Sequence, residues 1–282
     1  MPFVLDKGKV TLSLENGSTA VIHFQGATVT SWLAPEPGTD GPLKERLFVS
    51  KTAVLDGSEA IRGGISIAFP FFGKPQKPEH QRLAKHGFAR HREWKFDGVV
   101  TDNDAGINIR LVLEPDEVLK ETYPYQFSLV YVITLTTHSL STDFHVHNTG
   151  TNDTYLEFQA MLQDYLVCDS TGITTHSAET KSTSKKPADH RFGSGSGRIF
   201  KVHSEGGGYE VKTTGFKDVN VALGTGANED GWFLAEEEKG NFVCVKPGLT
   251  LTWHTLAPGD KWVGTQTISP SLAKVPSACN IQ

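Results

Sequence analysis

Apolar and polar side chains alternate with a period of two along most of the chain, and this pattern restricts the fold most. It is clear in GINIRLVL (106–113) and in STDFHVHN (141–148). Successive side chains of a β-strand point to opposite faces of its sheet, so such alternation is typical of strands with one buried face. Two further runs of this kind flank Asn16-Gly17, the pair favoured in tight hairpins. The sequence therefore predicts an all-β protein.

Turn-forming residues and length refine this prediction. The chain of 282 residues contains 28 glycines and 14 prolines, as expected where many short strands are joined by turns. Helical periodicity is scarce, although DEVLKETYP (116–124) could form one short helix. Such a pattern favours a sandwich or a barrel. We expect a single domain over 1–282, in which the polar segment 176–198 forms a long mobile loop.

Charge and cysteine content limit the partners. The formal charge is −5, the isoelectric point is about 6.1, and no basic stripe is present, so nucleic acid and anionic membranes are not expected partners. Cys168, Cys244 and Cys279 form neither a disulfide framework nor a zinc pattern. The N-terminus lacks the features of a signal peptide. We expect a cytoplasmic monomer without a cofactor, which binds a small molecule, with an anion as one candidate.

The segment FQAMLQDYL (158–166) predicts a strand with one apolar face and one polar face. Phe158, Ala160 and Leu162 would share one face, whereas Gln159 and Gln163 would share the other. Polar side chains on one face of a strand point either to water or to a ligand cavity. We expect a cavity, with Asp164 and Gln159 as additional ligand contacts.

Two basic motifs are candidate anion-binding sites. Arg62 stands in the otherwise apolar stretch AIRGGISIAFPFFGK, and an arginine there needs an anionic partner. His86 and Arg90 lie close together in KHGFARHREWKF and could hold a sugar hydroxyl and a phosphate. The alternatives are an internal salt bridge for Arg62 and a solvated loop for the second motif.

Three histidines are candidate metal ligands. His145 and His147 have the spacing of two ligands on one face of a strand, and His254 could be a third. The carboxylate expected soon after such a pair is missing, and HxH arises easily by chance. We therefore interpret these residues as ordinary strand histidines and predict no metal site.

The longest motifs carry a resemblance to a known family. The segments FVSKTAVLDGSEAIRGGISIAFPFFG and KHGFARHREWKF, followed in order by PYQFSLVYVITL, LEFQAMLQDYL and PGDKWVGTQTIS, resemble the hexose-6-phosphate 1-epimerase branch of the aldose 1-epimerase (mutarotase) family. The similarity extends from about residue 5 to residue 270. It implies a large antiparallel β-sandwich of the galactose mutarotase type, with a sugar cleft on one concave sheet. It also implies that Arg62, His86 and Arg90 contact phosphate or sugar.

The resemblance implies that both usual catalytic positions are changed. Where the family has a histidine that protonates the ring oxygen, this chain has Gln163, and where it has a glutamate base, the chain has Lys246. Mutarotation needs an acid and a base on opposite sides of the ring. Glutamine cannot exchange a proton near neutral pH, and lysine is normally a cation. Removing one such partner typically lowers the rate by ~10²–10⁴-fold.

Three functions remain open at this stage. The first is a repurposed cleft, with Gln163 as a hydrogen-bond donor and Lys246 as a cation or electrophile in the isomerisation or cyclisation of another small molecule. Alternatively, the protein is an active mutarotase in which His86 works with Asp164 or Glu157. The third function is non-catalytic binding of a sugar phosphate.

Overall fold

The fold is known from a computed structural model, which describes residues 2–39, 41–103, 105–168, 173–177, 181–182, 190–193, 198–204, 206–223 and 234–272. Within these residues the chain forms nineteen strands, one α-helix and three short 3-10 helices. All pairings between named strands are antiparallel. None of the described helices is long and apolar enough to cross a bilayer.

The strands follow one another through the whole chain. In order they are β1 (Phe3–Asp6), β2 (Lys9–Ser13), β3 (Thr19–His23), β4 (Thr28–Ala34), β5 (Lys44–Glu45), β6 (Ile65–Ala68), β7 (Lys95–Asn103), β8 (Gly106–Leu113), β9 (Phe127–Leu135), β10 (Leu140–Asn148), β11 (Leu156–Val167), β12 (Thr174–Ser177), β13 (Lys181–Ser182), β14 (His190–Gly193), β15 (Arg198–Ser204), β16 (Gly207–Thr214), β17 (Asp218–Leu223), β18 (Phe242–Leu256) and β19 (Lys261–Ser271).

The strands form two sheets. The first runs in the order β1-β2-β3-β4-β6-β11-β18-β17-β14, with β5 paired to β4. The second runs in the order β13-β12-β15-β16-β19-β10-β9-β8-β7. Helix α1 (Glu117–Thr122) is capped by Asp116, whose side chain accepts a hydrogen bond from the Leu119 N–H at 2.7 Å. The 3-10 helices span Pro78–His80, Ala89–His91 and Glu236–Glu238.

One hydrophobic core lies between the two sheets. Phe158 and Leu162 of the first sheet belong to the same buried cluster as Phe144 and Ile268 of the second. Phe158 packs edge-on against Trp262, with ring centroids 5.6 Å apart. The face of each sheet that points to its partner is therefore called the inner face, and the opposite one the outer face.

The predicted all-β sandwich is confirmed, as are the hairpin at Asn16-Gly17 and the short helix. Gly17 has φ +86°, the left-handed conformation that such a turn requires. The predicted mobile loop over 176–198 is not loop throughout, because its described residues lie in strands β12, β13, β14 and β15. The rest of that segment lies outside the described residues.

Candidate functional site

Strand β11 has two distinct faces at the centre of the first sheet. Phe158, Ala160 and Leu162 are in the inter-sheet core. Gln163 lies on the outer face, in line with Met161 and Tyr165, and it is buried. The polar face of this strand is therefore covered by protein instead of lying open to water.

Four polar side chains form a row across the outer face, which we call the polar row: Ser66 of β6, Gln163 of β11, Lys246 of β18 and Asn220 of β17. Gln163 pairs with Ser66, and Lys246 pairs with Asn220. The pairs Met161–Gly248 and Asp164–Val245 on either side place Gln163 opposite Lys246. All four residues are buried.

The sequence places these side chains on the outer face by strand alternation. Val243 and Val245, which precede Lys246 on β18, belong to the inner-face core, and so do Val219 and Val221 on either side of Asn220. Gln163 Nε2 lies 3.4 Å from Ser66 Oγ, within hydrogen-bonding distance. The polar row holds one cation and three neutral side chains, and no acid.

Phe72 connects the polar row to His86. The Lys246 ammonium lies 5.9 Å from the centroid of the Phe72 ring, and the ring of His86 lies 4.8 Å from it. Lys246 and His86 thus both lie beside the Phe72 ring. The structure therefore brings Gln163, Lys246 and His86 into one region. That this region is a ligand-binding or catalytic site stays a prediction.

His86 is held in a defined orientation. Its Nδ1 accepts a hydrogen bond from the Gly73 N–H at 3.1 Å, so the neutral imidazole carries its proton on Nε2. Its backbone has φ +66°, and the next residue, Gly87, has φ +76°. A Cβ on Gly87 would lie 2.1 Å from the Phe69 carbonyl oxygen, so only glycine fits there. This arrangement leaves Nε2–H as a hydrogen-bond donor.

Gln159 has a structural position beside the site. Its Oε1 accepts from the Phe72 N–H at 3.2 Å, and its Nε2 donates to the Thr250 carbonyl at 2.9 Å. Both ends of the amide are therefore used to join the Phe72 loop to β18. Gln159 thereby helps to hold Phe72 in place, and its expected role as a ligand contact stays a prediction.

Asp164 lies on the inner face, away from Gln163. It is fully buried, and its Oδ1 accepts a hydrogen bond from Gln266 Nε2 of the second sheet at 2.8 Å. Burial raises the pKa of this carboxyl group to about 8, against a smaller lowering by the Gln266 hydrogen bond. The expected role of Asp164 as a ligand contact is not supported by this placement, because adjacent residues of a strand point to opposite faces.

Glu157 lies at the exposed end of β11. It forms an ion pair with Lys77, and the Thr255 hydroxyl is 3.4 Å away. The hydrogen bond from Lys77 lowers the pKa of Glu157. The two carboxyl groups that could act as the base beside His86 therefore differ in location. Asp164 lies in the core, and Glu157 forms an ion pair at the surface.

The two arginines differ in exposure. Arg62 is partly exposed and lies 3.6 Å from Glu59 in an ion pair, in line with the salt-bridge alternative for this residue. Arg90 is buried in the 3-10 helix over Ala89–His91, where its Nη2 donates to the Lys85 carbonyl at 3.3 Å. Anion binding by this pair remains a prediction.

Among the described residues, no group of three or more histidine, cysteine or acidic side chains is arranged to hold a metal ion. His145 and His147 are partly buried residues of β10, and burial lowers the pKa of His145. His254 packs against Phe158, with ring centroids 5.4 Å apart.

Sequence reasoning missed two members of the site. Asn220 lies in KDVNVALG, where alternation with Val219 and Val221 was the available signal. Phe72 is one of three phenylalanines in FPFFG, and only the partly exposed position of its ring distinguishes it from the buried Phe69 and Phe71.

Comparison with known proteins identifies similar sequences. Residues 8–191 match the family described as aldose 1-epimerase. A protein of Cenchrus ciliaris named "Putative glucose-6-phosphate 1-epimerase" is 27% identical over 290 residues, which cover 93% of this chain and 84% of that protein. A protein of the same name from Escherichia coli is 32% identical over 111 residues, or 39% of this chain and 34% of the relative.

Solved structures share the fold. A "putative mutarotase" from Salmonella typhimurium has a TM-score of 0.76 at 17% identity, with 96% of this chain and 93% of that chain covered. A galactose mutarotase related enzyme from Lactobacillus acidophilus has a TM-score of 0.67 at 14% identity, with 94% and 98% covered. These similarities agree with the arrangement of two antiparallel sheets described above.

Proposed function

The chain belongs to the aldose 1-epimerase family, and from that premise we propose that it is a divergent member that binds a small anionic, sugar-like molecule. In this proposal the cleft does not perform mutarotation with an acid–base pair at Gln163 and Lys246. Chemistry of another kind, such as isomerisation or cyclisation, is compatible with the same residues.

The observation that supports this proposal is the composition of the polar row. Lys246 stands buried among Ser66, Gln163 and Asn220, none of which can take up or release a proton near neutral pH. An ammonium group in a row with neutral hydrogen-bonding side chains is a suitable contact for an anionic ligand group, phosphate or carboxylate. The same ammonium group could polarise a carbonyl of the ligand.

His86 supplies a second polar contact in this proposal. Its Nε2–H is a donor, because Nδ1 accepts from the Gly73 N–H. A hydroxyl or a ring oxygen of a sugar is a suitable acceptor for it. Phe72, which contacts both His86 and Lys246, offers an apolar surface for the ligand between them.

The alternative of an active mutarotase is less consistent with the structure. It would need a base near His86, yet Asp164 is in the inter-sheet core and Glu157 is in an ion pair with Lys77. Non-catalytic binding of a sugar phosphate shares the ligand chemistry of our proposal. Turnover of the bound molecule distinguishes the two.

Calorimetric titration tests the binding step. We expect glucose 6-phosphate to bind more tightly than glucose, and Lys246→Met to lower its affinity by about 10–150-fold, since a charge-assisted hydrogen bond contributes ~1.5–3 kcal/mol. Lys217→Met, which changes an exposed lysine, is the control. Equal affinity in wild type and Lys246→Met would contradict the proposal.

Anomer interconversion of glucose 6-phosphate, followed by NMR, tests the catalytic step. We expect the wild type to leave the uncatalysed rate nearly unchanged. The double variant Gln163→His with Lys246→Glu should raise the rate if the rest of the cleft accepts this sugar. Wild-type rates in the range typical of enzymes, ~1–10³ per second, would show that the protein is an active mutarotase.

A further inference from the structure

The space between the sheets contains a group of buried polar side chains next to strand β11. Gln266 of β19 pairs with Thr142 of β10 on one side and with Thr213 of β16 on the other. Asp164 of β11 reaches Gln266 from the opposite sheet. Tyr131 of β9 completes the group, and all five residues are buried.

The hydrogen bonds between Asp164 and Gln266 are incomplete if the carboxyl group is ionised. Gln266 Nε2 donates to Asp164 Oδ1 at 2.8 Å. Asp164 Oδ2 and Gln266 Oε1 are both buried, and neither has a hydrogen-bond partner. A carboxylate oxygen and an amide oxygen are both acceptors, so an ionised Asp164 leaves two buried acceptors without a donor. Such a pair is strongly unfavourable in a core.

One proton on Asp164 Oδ2 would give both Asp164 Oδ2 and Gln266 Oε1 a hydrogen-bond partner. We propose that Asp164 is a neutral carboxylic acid in the folded protein, which donates from Oδ2 to Gln266 Oε1 while Oδ1 accepts from Gln266 Nε2. The two hydrogen bonds form a closed ring that joins β11 of the first sheet to β19 of the second. In this arrangement Asp164 is a positioning residue for Gln163, its neighbour on the outer face.

The electrostatic surroundings agree with this geometry. Burial raises the pKa of Asp164, and the Gln266 hydrogen bond is the one opposing cause. Tyr131 is the titratable side chain that faces the group, and burial raises its pKa, so it remains neutral. The other facing groups are Thr142, Thr213 and Gln266, which are uncharged. None of these side chains is a cation, so none carries a positive charge that would compensate a negative charge at Asp164.

The consequence for stability has a definite sign. The ordinary pKa of an aspartate is 3.8, and the folded value is about 8. Between these pH values the unfolded chain has released the proton and the folded protein retains it. The folded state therefore binds more protons, and this contribution to stability decreases as pH rises across the window. Above about pH 8 both states are ionised and the dependence ends.

Infrared spectroscopy tests the protonation state directly. At pH 6 the wild type should show the carbonyl stretch of a buried protonated carboxyl group, and Asp164→Asn should lack it. Glu157→Gln, which changes an exposed carboxyl group on the same strand, should retain the band. Absence of the band in the wild type, or its persistence in Asp164→Asn, overturns the proposal.

Asp164→Asn also isolates the stability effect. Its amide can donate to Gln266 Oε1 and accept from Nε2, so it mimics the neutral acid. We expect the unfolding equilibrium constant of the wild type, divided by that of Asp164→Asn, to rise about tenfold per pH unit between pH 5 and 7. A ratio independent of pH contradicts the proposal. If the variant does not fold, an NMR titration of ¹³C-labelled aspartate in the wild type gives the same information.

The positioning role rests on the proposed function and needs a binding measurement. Ionisation of Asp164 should disturb β11, so the affinity of the wild type for glucose 6-phosphate should decrease between pH 7 and pH 9 more than that of Asp164→Asn. An equal decrease in both proteins overturns the positioning role alone. Failure of the proposed function would appear instead as absent binding at pH 7, with the infrared band still present.

Discussion

The two faces of strand β11 place neighbouring residues in different chemical surroundings. On the outer face, Gln163 lies in a row with Lys246, which carries a charge next to neutral polar groups. On the inner face, Asp164 lies in the core between the sheets, where its Oδ1 accepts a hydrogen bond from Gln266. In the proposed function the charge of Lys246 meets an anionic ligand, whereas the proposed protonation of Asp164 removes a negative charge from the core.

The two carboxyl groups of β11 show the same contrast. Glu157, at the exposed end, has a pKa lowered by the hydrogen bond from Lys77. Asp164, in the middle, has a pKa raised by burial. The Glu157 pair therefore stabilises the protein above the ordinary glutamate pKa and is lost as pH falls, which is the opposite of the dependence expected for Asp164.

The largest effect is expected from removing an apolar side chain of the inner face. Phe158→Ala should lower the free energy of unfolding by ~3–5 kcal/mol, because a fully buried ring packed against Phe69 and Trp262 is lost. Urea denaturation measures this change. Tyr155→Ala, at a side chain that is 53% exposed, should change stability by less than ~0.5 kcal/mol. Similar losses in both variants would contradict the assignment of the core.

A smaller loss is expected from the polar pair of the inner face. Gln266→Leu should lower the free energy of unfolding by ~1–3 kcal/mol, because Asp164 loses its hydrogen-bond partner in a buried site. Thermal and urea unfolding at pH 6 provide the measurement. Gln81→Leu, at an exposed glutamine, is the matched control. A stabilised Gln266→Leu protein would show that Asp164 does not depend on this partner.

On the outer face, a change of charge should affect binding more than stability. Asn220→Asp places a carboxylate next to Lys246 in the polar row. We expect it to weaken glucose 6-phosphate binding about tenfold, or ~1.4 kcal/mol, because the new charge neutralises the ammonium group and repels the phosphate. Asn220→Ser, which adds no charge, should have a smaller effect in the same calorimetric titration. Tighter binding by Asn220→Asp would rule out an anion at this position.

The smallest effect is expected at the exposed end of the strand. Lys77→Met removes the ion pair with Glu157 and the contact with Trp253, whose ring centroid is 3.9 Å from the ammonium. We expect a loss of ~0.5–1 kcal/mol at pH 7, because the Glu157 partner is exposed to water. The part that comes from Glu157 should be lost as pH falls below the ordinary glutamate pKa and that carboxyl group becomes protonated. Lys7→Met, at another exposed lysine, should show no such dependence.

Much of the fold and part of the site could be predicted from the sequence. Alternation in GINIRLVL and STDFHVHN predicted strands β8 and β10, because burial on one face of a sheet selects every second side chain. Alternation around Gln163 and the order of the motifs predicted that Gln163, Lys246, His86, Arg62 and Arg90 face a shared cleft. The structure places the first three of these residues in one region, and the shared cleft stays a prediction. The same alternation, applied strictly, would have placed Asp164 on the face opposite to Gln163.

The sequence by itself determined the class of fold, the family resemblance and the identity of the residues at the two changed positions. Only the tertiary structure decided which side chains meet across strands distant in sequence: Gln163 with Lys246, Phe72 with His86, and Asp164 with Gln266. Strand order and register set these contacts, and they depend on how the two sheets pack together. The protonation of Asp164 follows from that packing, since desolvation is a property of the assembled core and not of the residue alone.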